Sequence, residues 1–234
     1  MREAGFQPFV AAQSVSRIEG KKFFTKHVIR FRPTNMTLAQ VGDTTVEAIL
    51  VNSHDGTSCY ELSLGAMRLA CLNGMMVSEG LQEAVRIRHT GSIIQSVVLA
   101  TQAMIENAPK VVEAIKNWKA ITLKPEEALI LAEEAHSLRF ADSPVATQIA
   151  PASLLQLRRG ADNGTDLWST FNRVQENVME GGLRTFRTRQ NTEEGVVIPA
   201  RRSRTQPIKG IAENIKLNRA LWSLAEKMAA LKTA

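Results

Sequence analysis

Apolar and polar positions change rhythm along this chain. Residues 6–14, FQPFVAAQS, are short and apolar with a polar finish. Glu19-Gly20-Lys21-Lys22 has the composition of a hairpin turn, and the stretch that follows to Phe31 becomes alternating. Ile29 and Phe31 fall on one side and Arg30 and Arg32 on the other, which predicts a half-buried strand with one basic face, closed by Pro33. VEAILV at 46–51 is more continuously apolar, as expected of a central strand. That run stops at Asn52-Ser53-His54-Asp55-Gly56-Thr57. After it, Cys59, Leu62, Ala66, Met67, Leu69 and Ala70, ending at Asn73-Gly74, predict a helix over about 58–72. Val85-Arg86-Ile87-Arg88-His89 alternates again, with the arginines on one side.

From there the rhythm is helical. Ile94, Val97, Val98, Thr101, Met104 and Ile105 predict a helix from Ile93 to about Trp118, with Pro109 as a kink or break. A second helix follows Thr122, a candidate cap, with Pro125, Glu126 and Glu127 in its first turn. A short one covers 151–157. Another covers 167–179, capped by Asp166 and stopped by Gly181-Gly182, and a long last helix covers 211–231. Strands first and helices later indicate an α+β fold: a small antiparallel sheet covered on one face by helices, with a long C-terminal helix. Residues 1–234 are expected to form a single α+β domain, with a turn-rich basic loop excursion at 183–209.

Composition narrows the classes. The 234 residues, 44% hydrophobic and 22% charged, are ordinary for a globular protein with a substantial core. Aromatics make up only 5%, so the core rests on aliphatic side chains. Cys59 and Cys71 have no metal-ligand spacing and read as buried free thiols, which fits a reducing, cytoplasmic setting. No run of about 18 apolar residues exists, and the first ten residues lack the apolar core of a signal peptide, so no membrane association is expected.

The net charge of +6 is unevenly spread. Residues 1–32 hold seven Lys/Arg against two Glu, as do residues 183–209, so those two stretches carry +10 and the remainder −4. Such clustering points to a polyanion. Arg30, Arg32, Arg86 and Arg88 on strand faces, with Arg184, Arg187, Arg189, Arg201, Arg202 and Arg204 in the excursion, are the candidate nucleic-acid contacts. Arginine grips phosphate bidentately, and backbone-dominated, sequence-tolerant binding would follow. Phe186 is the one aromatic among the late arginines.

Asn52, His54, Asp55 and Thr57 form the sharpest polar cluster, at the expected strand-to-helix junction. Helix capping explains it most simply, with phosphate contact at a helix N-terminus or general-base chemistry at His54 as sharper readings. No nucleophile stands at a recognised spacing, so an enzyme is the third-ranked reading. The four histidines share no metal frame, and neither a Walker-type loop nor Gly-x-Gly-x-x-Gly occurs, so no cofactor or metal is implied.

Five blocks in order, GFQPFVAAQS (5–14), LVNSHDGTS (50–58), CLNGMMV (71–77), DLWSTFNRVQENVMEGG (166–182) and NIKLNRALWSLAE (214–226), resemble the phage/plasmid-like protein family known as domain of unknown function 932. The resemblance covers nearly the whole chain and implies a setting on phages, prophages or plasmids, with no established activity to transfer. Members usually carry a further segment before the first block, so the sheet is expected to lack an N-terminal element. A weaker fold-level analogy to phage single-strand annealing recombinases implies single-stranded DNA as partner, self-association, and an accessory role in annealing or recombination. The alternative function is a protein-interaction or anti-defence factor of a mobile element, acting without catalysis.

Overall fold

The computed structural model describes residues 2, 5–16, 18–21, 24–34, 40–41, 44–54, 59–68, 74–76, 85–87, 93–143, 145–187 and 201–233. The chain gathers into two compact units, one of residues 1–117 with 210–223 and the other of residues 118–209 with 224–234. The fold is α+β, with an antiparallel sheet and a long C-terminal helix.

The first unit holds strands β1 (Phe6–Gln13), β2 (His27–Pro33), β3 (Gln40–Val41), β4 (Thr44–Asn52), β5 (Tyr60–Arg68), β6 (Gly74–Met76) and β7 (Val85–Ile87). Their order is β1-β2-β4-β5-β6, with β3 on β4 and β7 on β5. Helix α1 (Ile93–Ala120) and the start of α4 (Ile211–Thr233) belong to this unit as well. On one face Ile49 and Val51 of β4, with Val28 of β2, pack against Ile211 and Ile215 of α4.

The helix expected over 58–72 is instead strand β5, paired with β4 at eight positions from Thr44 opposite Arg68 to Val51 opposite Glu61. Leu62 and Leu64 are both 1% exposed. The segment Tyr60-Glu61-Leu62-Ser63-Leu64-Gly65 alternates as well as it repeats helically, and a long β4 edge offers it a full ladder. Tertiary pairing decided between two rhythms the segment could satisfy.

Alternation on β2 holds as expected, but its basic side does not face solvent. Arg30 lies opposite Ile49, so Arg30, Arg32, Glu47, Ile49 and Val51 share one face. Glu47, with a side chain 0% exposed, takes Arg30 Nε at 2.7 Å on one oxygen and Arg32 Nε at 2.5 Å on the other. Gly65 pairs with Glu47, so β5 places no side chain directly beside the carboxylate. The Arg32 guanidinium also lies 3.4 Å over the Phe9 ring. On the same face Arg219 of α4 pairs with Glu61.

The second unit begins with the last residues of α1. It continues through α2 (Pro125–Phe140), 3-10 turns at Ala146–Gln148, Pro151–Leu155 and Gly160–Asp162, α3 (Leu167–Glu180), β8 (Arg184–Arg187) and β9 (Arg201–Arg204). Trp118, Trp168 and Phe171 form its aromatic centre, with Trp118 edge-on to Phe171 at 5.5 Å. Asp166 caps α3 by accepting from the Ser169 amide at 2.9 Å. Buried Asn177 donates to the carbonyls of Leu154, Gln156 and Arg173, pinning the 3-10 stretch to α3.

Helix α2 has Lys124, not Thr122, at its N-cap position. The Glu127 carboxylate accepts the Lys124 amide at 2.7 Å and meets Lys232 at 3.0 Å. The amide and the Lys232 ammonium hold the Glu127 carboxyl below its ordinary titration range. A depressed folded-state value means the charged form contributes stability above the unfolded carboxylate's range, and that contribution fades as pH falls through the folded one. Glu127→Gln is therefore expected to lower the melting temperature at neutral pH, with the gap to wild type narrowing as pH falls below the ordinary glutamate range. Calorimetric scans of both proteins across that range check it.

Candidate functional site

The basic excursion at 183–209 contains a two-stranded hairpin. Helix α3 ends at Gly181, φ +61°, followed by Gly182, φ +77°. A Cβ at Gly181 would lie 2.8 Å from the carbonyl oxygens of Thr205 and Gln206, so this close approach requires glycine. Gly182 donates to Thr205 O at 2.9 Å and Thr205 donates to Leu183 O at 2.9 Å, which closes the base of the hairpin. Arg158 donates to Asn177 Oδ1 at 2.7 Å and to Gly181 O, and Arg139 donates to Gln206 O at 3.4 Å. The hairpin thus rises from a base bonded to α3 and bordered by two further cations.

The register sets Arg184 opposite Arg204, Thr185 opposite Ser203, Phe186 opposite Arg202 and Arg187 opposite Arg201. Two of four cross-strand pairs are therefore arginine against arginine. Like charges directly opposite each other disfavour a hairpin by a few tenths of a kcal/mol to about 1 kcal/mol. Arg184, Arg202 and Arg204 are exposed, and no carboxylate among the described residues pairs with them. They line a depression of about 580 Å³ with Thr185 and Ser203. A second depression, about 610 Å³, shares Arg184 and Arg204 and adds Gln148, Ser153, Gln156 and Gly182. The arrangement offers fixed cations backed by neutral hydrogen-bonding groups, which suits phosphate oxygens.

The other expected contacts are placed differently. Arg30 and Arg32 converge on Glu47 and are not free cations. Their basic side faces inward because the sheet brings Glu47, distant in sequence, directly beneath it. Arg86 lies on β7, opposite Glu61 of β5. Arg187 and Arg201 are paired on the hairpin, while Arg88 and Arg189 lie outside the described residues.

Within the polar junction, Asn52 ends β4 and His54 follows it, whereas Asp55 and Thr57 lie outside the described residues. Because β5 is a strand, the expected helix N-terminus that would cap there or receive phosphate does not exist. His27, which the sequence reading set aside with the other isolated histidines, stands beside His54 with ring centroids 5.3 Å apart. Burial raises the titration of Tyr60, which opens β5. Among the described residues no three His, Cys, Asp or Glu converge as a metal cluster, and no helix is long and apolar enough to cross a membrane.

A family model described as Domain of unknown function (DUF932) matches residues 1–222. The chain is similar to UPF0380 protein YafZ of Escherichia coli strain K12, 34% identical over 228 residues, 97% of this chain and 78% of that protein. It is likewise similar to UPF0380 protein YfjQ of the same strain, 33% identical over 228 residues with the same coverage. No solved structure matches.

Proposed function

The chain belongs to the DUF932 family, and we propose that it is a non-enzymatic nucleic-acid-binding protein that holds single-stranded DNA by its phosphates at the β8–β9 hairpin. The observation that carries this reading is the Arg184–Arg204 pair, two exposed arginines directly opposite each other across the hairpin and lining one depression, with no carboxylate partner among the described residues. A phosphate between them would turn mutual repulsion into two charge-assisted hydrogen bonds. With no aromatic side chain among the described residues lining either depression, recognition would be through the backbone and tolerant of sequence. The reading extends to a cytoplasmic protein of phage or plasmid type that assists annealing or recombination. The half-buried free thiol of Cys59 is compatible with that compartment.

The test is fluorescence anisotropy of a labelled single-stranded oligonucleotide against salt. Binding tighter than about 1 µM near 50 mM salt, with a log–log slope of about −2 for three arginine contacts, is expected. Absence of binding to any DNA or RNA at that salt removes the proposal. A host partner captured equally after nuclease treatment would instead favour a protein-interaction role.

A further inference from the structure

We propose that one end of the sheet is a site for a divalent transition-metal ion, held by His27, His54 and the side-chain oxygen of Asn52. Three observations, all within the first unit, converge there. His27, the first residue of β2, lies opposite Asn52, the last of β4. His54, two residues past Asn52, has its ring beside that of His27, with centroids 5.3 Å apart and planes inclined by 23°. Asn52 Oδ1 is buried and has no hydrogen-bond partner.

The two rings stack within ordinary contact distance, and that separation also suits chelation. Offset-stacked rings have centres about 4.5–7 Å apart, a range that includes this pair. Two imidazoles that share an ion at about 2.0–2.1 Å from one nitrogen each, at a tetrahedral angle, have centres about 5 Å apart. The backbone sets this separation. His27 is fixed by the β2–β4 ladder, and the His54 amide donates to Phe24 O at 2.9 Å. Ring orientation adjusts about χ2, a broad torsion.

The orphaned amide oxygen supplies the second argument. A buried acceptor without a partner costs about 1–3 kcal/mol, and a cation beside it removes that cost. Asn52 is paired with His27 across the ladder and lies two residues from His54. Two imidazole nitrogens and one amide oxygen form a borderline, uncharged donor set. Such a set selects Zn²⁺, Ni²⁺ or Cu²⁺ over Mg²⁺ or Ca²⁺, with water completing the coordination. Neither histidine belongs to the arginine hairpin, so this site stands or falls independently of DNA binding.

The experiment is isothermal titration of the chelator-treated full chain with ZnCl₂, followed by Co²⁺ absorbance and thermal melts with and without Zn²⁺. Roughly one equivalent is expected, at micromolar affinity, with a Zn²⁺-dependent rise in melting temperature. His54→Ala, at an exposed position where the fold is retained, is expected to weaken binding at least about ten-fold and abolish the rise. His27→Ala should act alike, and Asn52→Leu more mildly. Cys59→Ser should leave binding unchanged, since the thiol has no place in the set. No saturable binding by the wild type, binding that persists in the His27→Ala/His54→Ala double variant, or binding lost only with Cys59→Ser would each overturn the proposal.

Discussion

Replacing Arg184 and Arg204 together by glutamine is expected to weaken single-stranded DNA binding roughly 30- to 100-fold near 50 mM salt, the loss of two charge-assisted phosphate contacts. The salt slope should become shallower by about 1.4, since each contact on single strands releases about 0.7 of a counterion. Stability should move the other way. Arg184 and Arg204 face one another across β8 and β9, so neutralising both removes a repulsion from the free protein. Melting temperature should be unchanged or slightly higher, which separates lost contacts from lost structure. The double lysine variant keeps the charge but not the planar fork, and an intermediate affinity with an unaltered slope is expected. An unchanged affinity for the glutamine variant would mean that DNA, if bound, goes elsewhere.

The second large effect concerns folding. Glu47→Leu is expected to destabilise the protein by about 3–5 kcal/mol, which for a chain of this size lowers the melting temperature by about 10 °C. The Glu47 side chain is 0% exposed, while those of Arg30 and Arg32 are 11% and 17% exposed. Removing the carboxylate leaves two guanidinium groups close together, largely withdrawn from water and uncompensated. Changing all three at once, Glu47→Leu with Arg30→Met and Arg32→Met, should recover most of the loss, because apolar residues of similar volume can replace a buried ionic cluster. A single Glu47→Leu variant that melts within about 2 °C of wild type would show the cluster to be solvated in practice.

The contrast between β2 and β5 shows what the primary structure made legible. Alternation on β2 was readable because Ile29, Phe31, Arg30 and Arg32 differ sharply in polarity. Which neighbour met the arginines was not readable, since Glu47 reaches them only through the β2–β4 register. On β5 both periods fitted, and the β4 edge decided. Helix α3 was the easiest element, with a carboxylate cap at Asp166 and a glycine pair after it. The β8–β9 hairpin was hidden for the opposite reason. Arginine-rich strands have low intrinsic strand preference, and 13 residues separate Arg187 from Arg201, with no short turn signal to mark the reversal. The pairing of His27 with His54 was equally out of reach. It depends on two strand ends meeting, which no spacing along the chain encodes.

Strand β1 lies at the outer end of the strand order, beyond β2. Its register slips between Pro8 and Val10, and six of its eight residues are exposed. Proline brings no amide hydrogen to an incoming backbone, and the slip spoils the regular spacing that another polypeptide would need to zip alongside. This rim is therefore a poor seed for fibrils, and chains that stack into larger particles would have to meet through other surfaces.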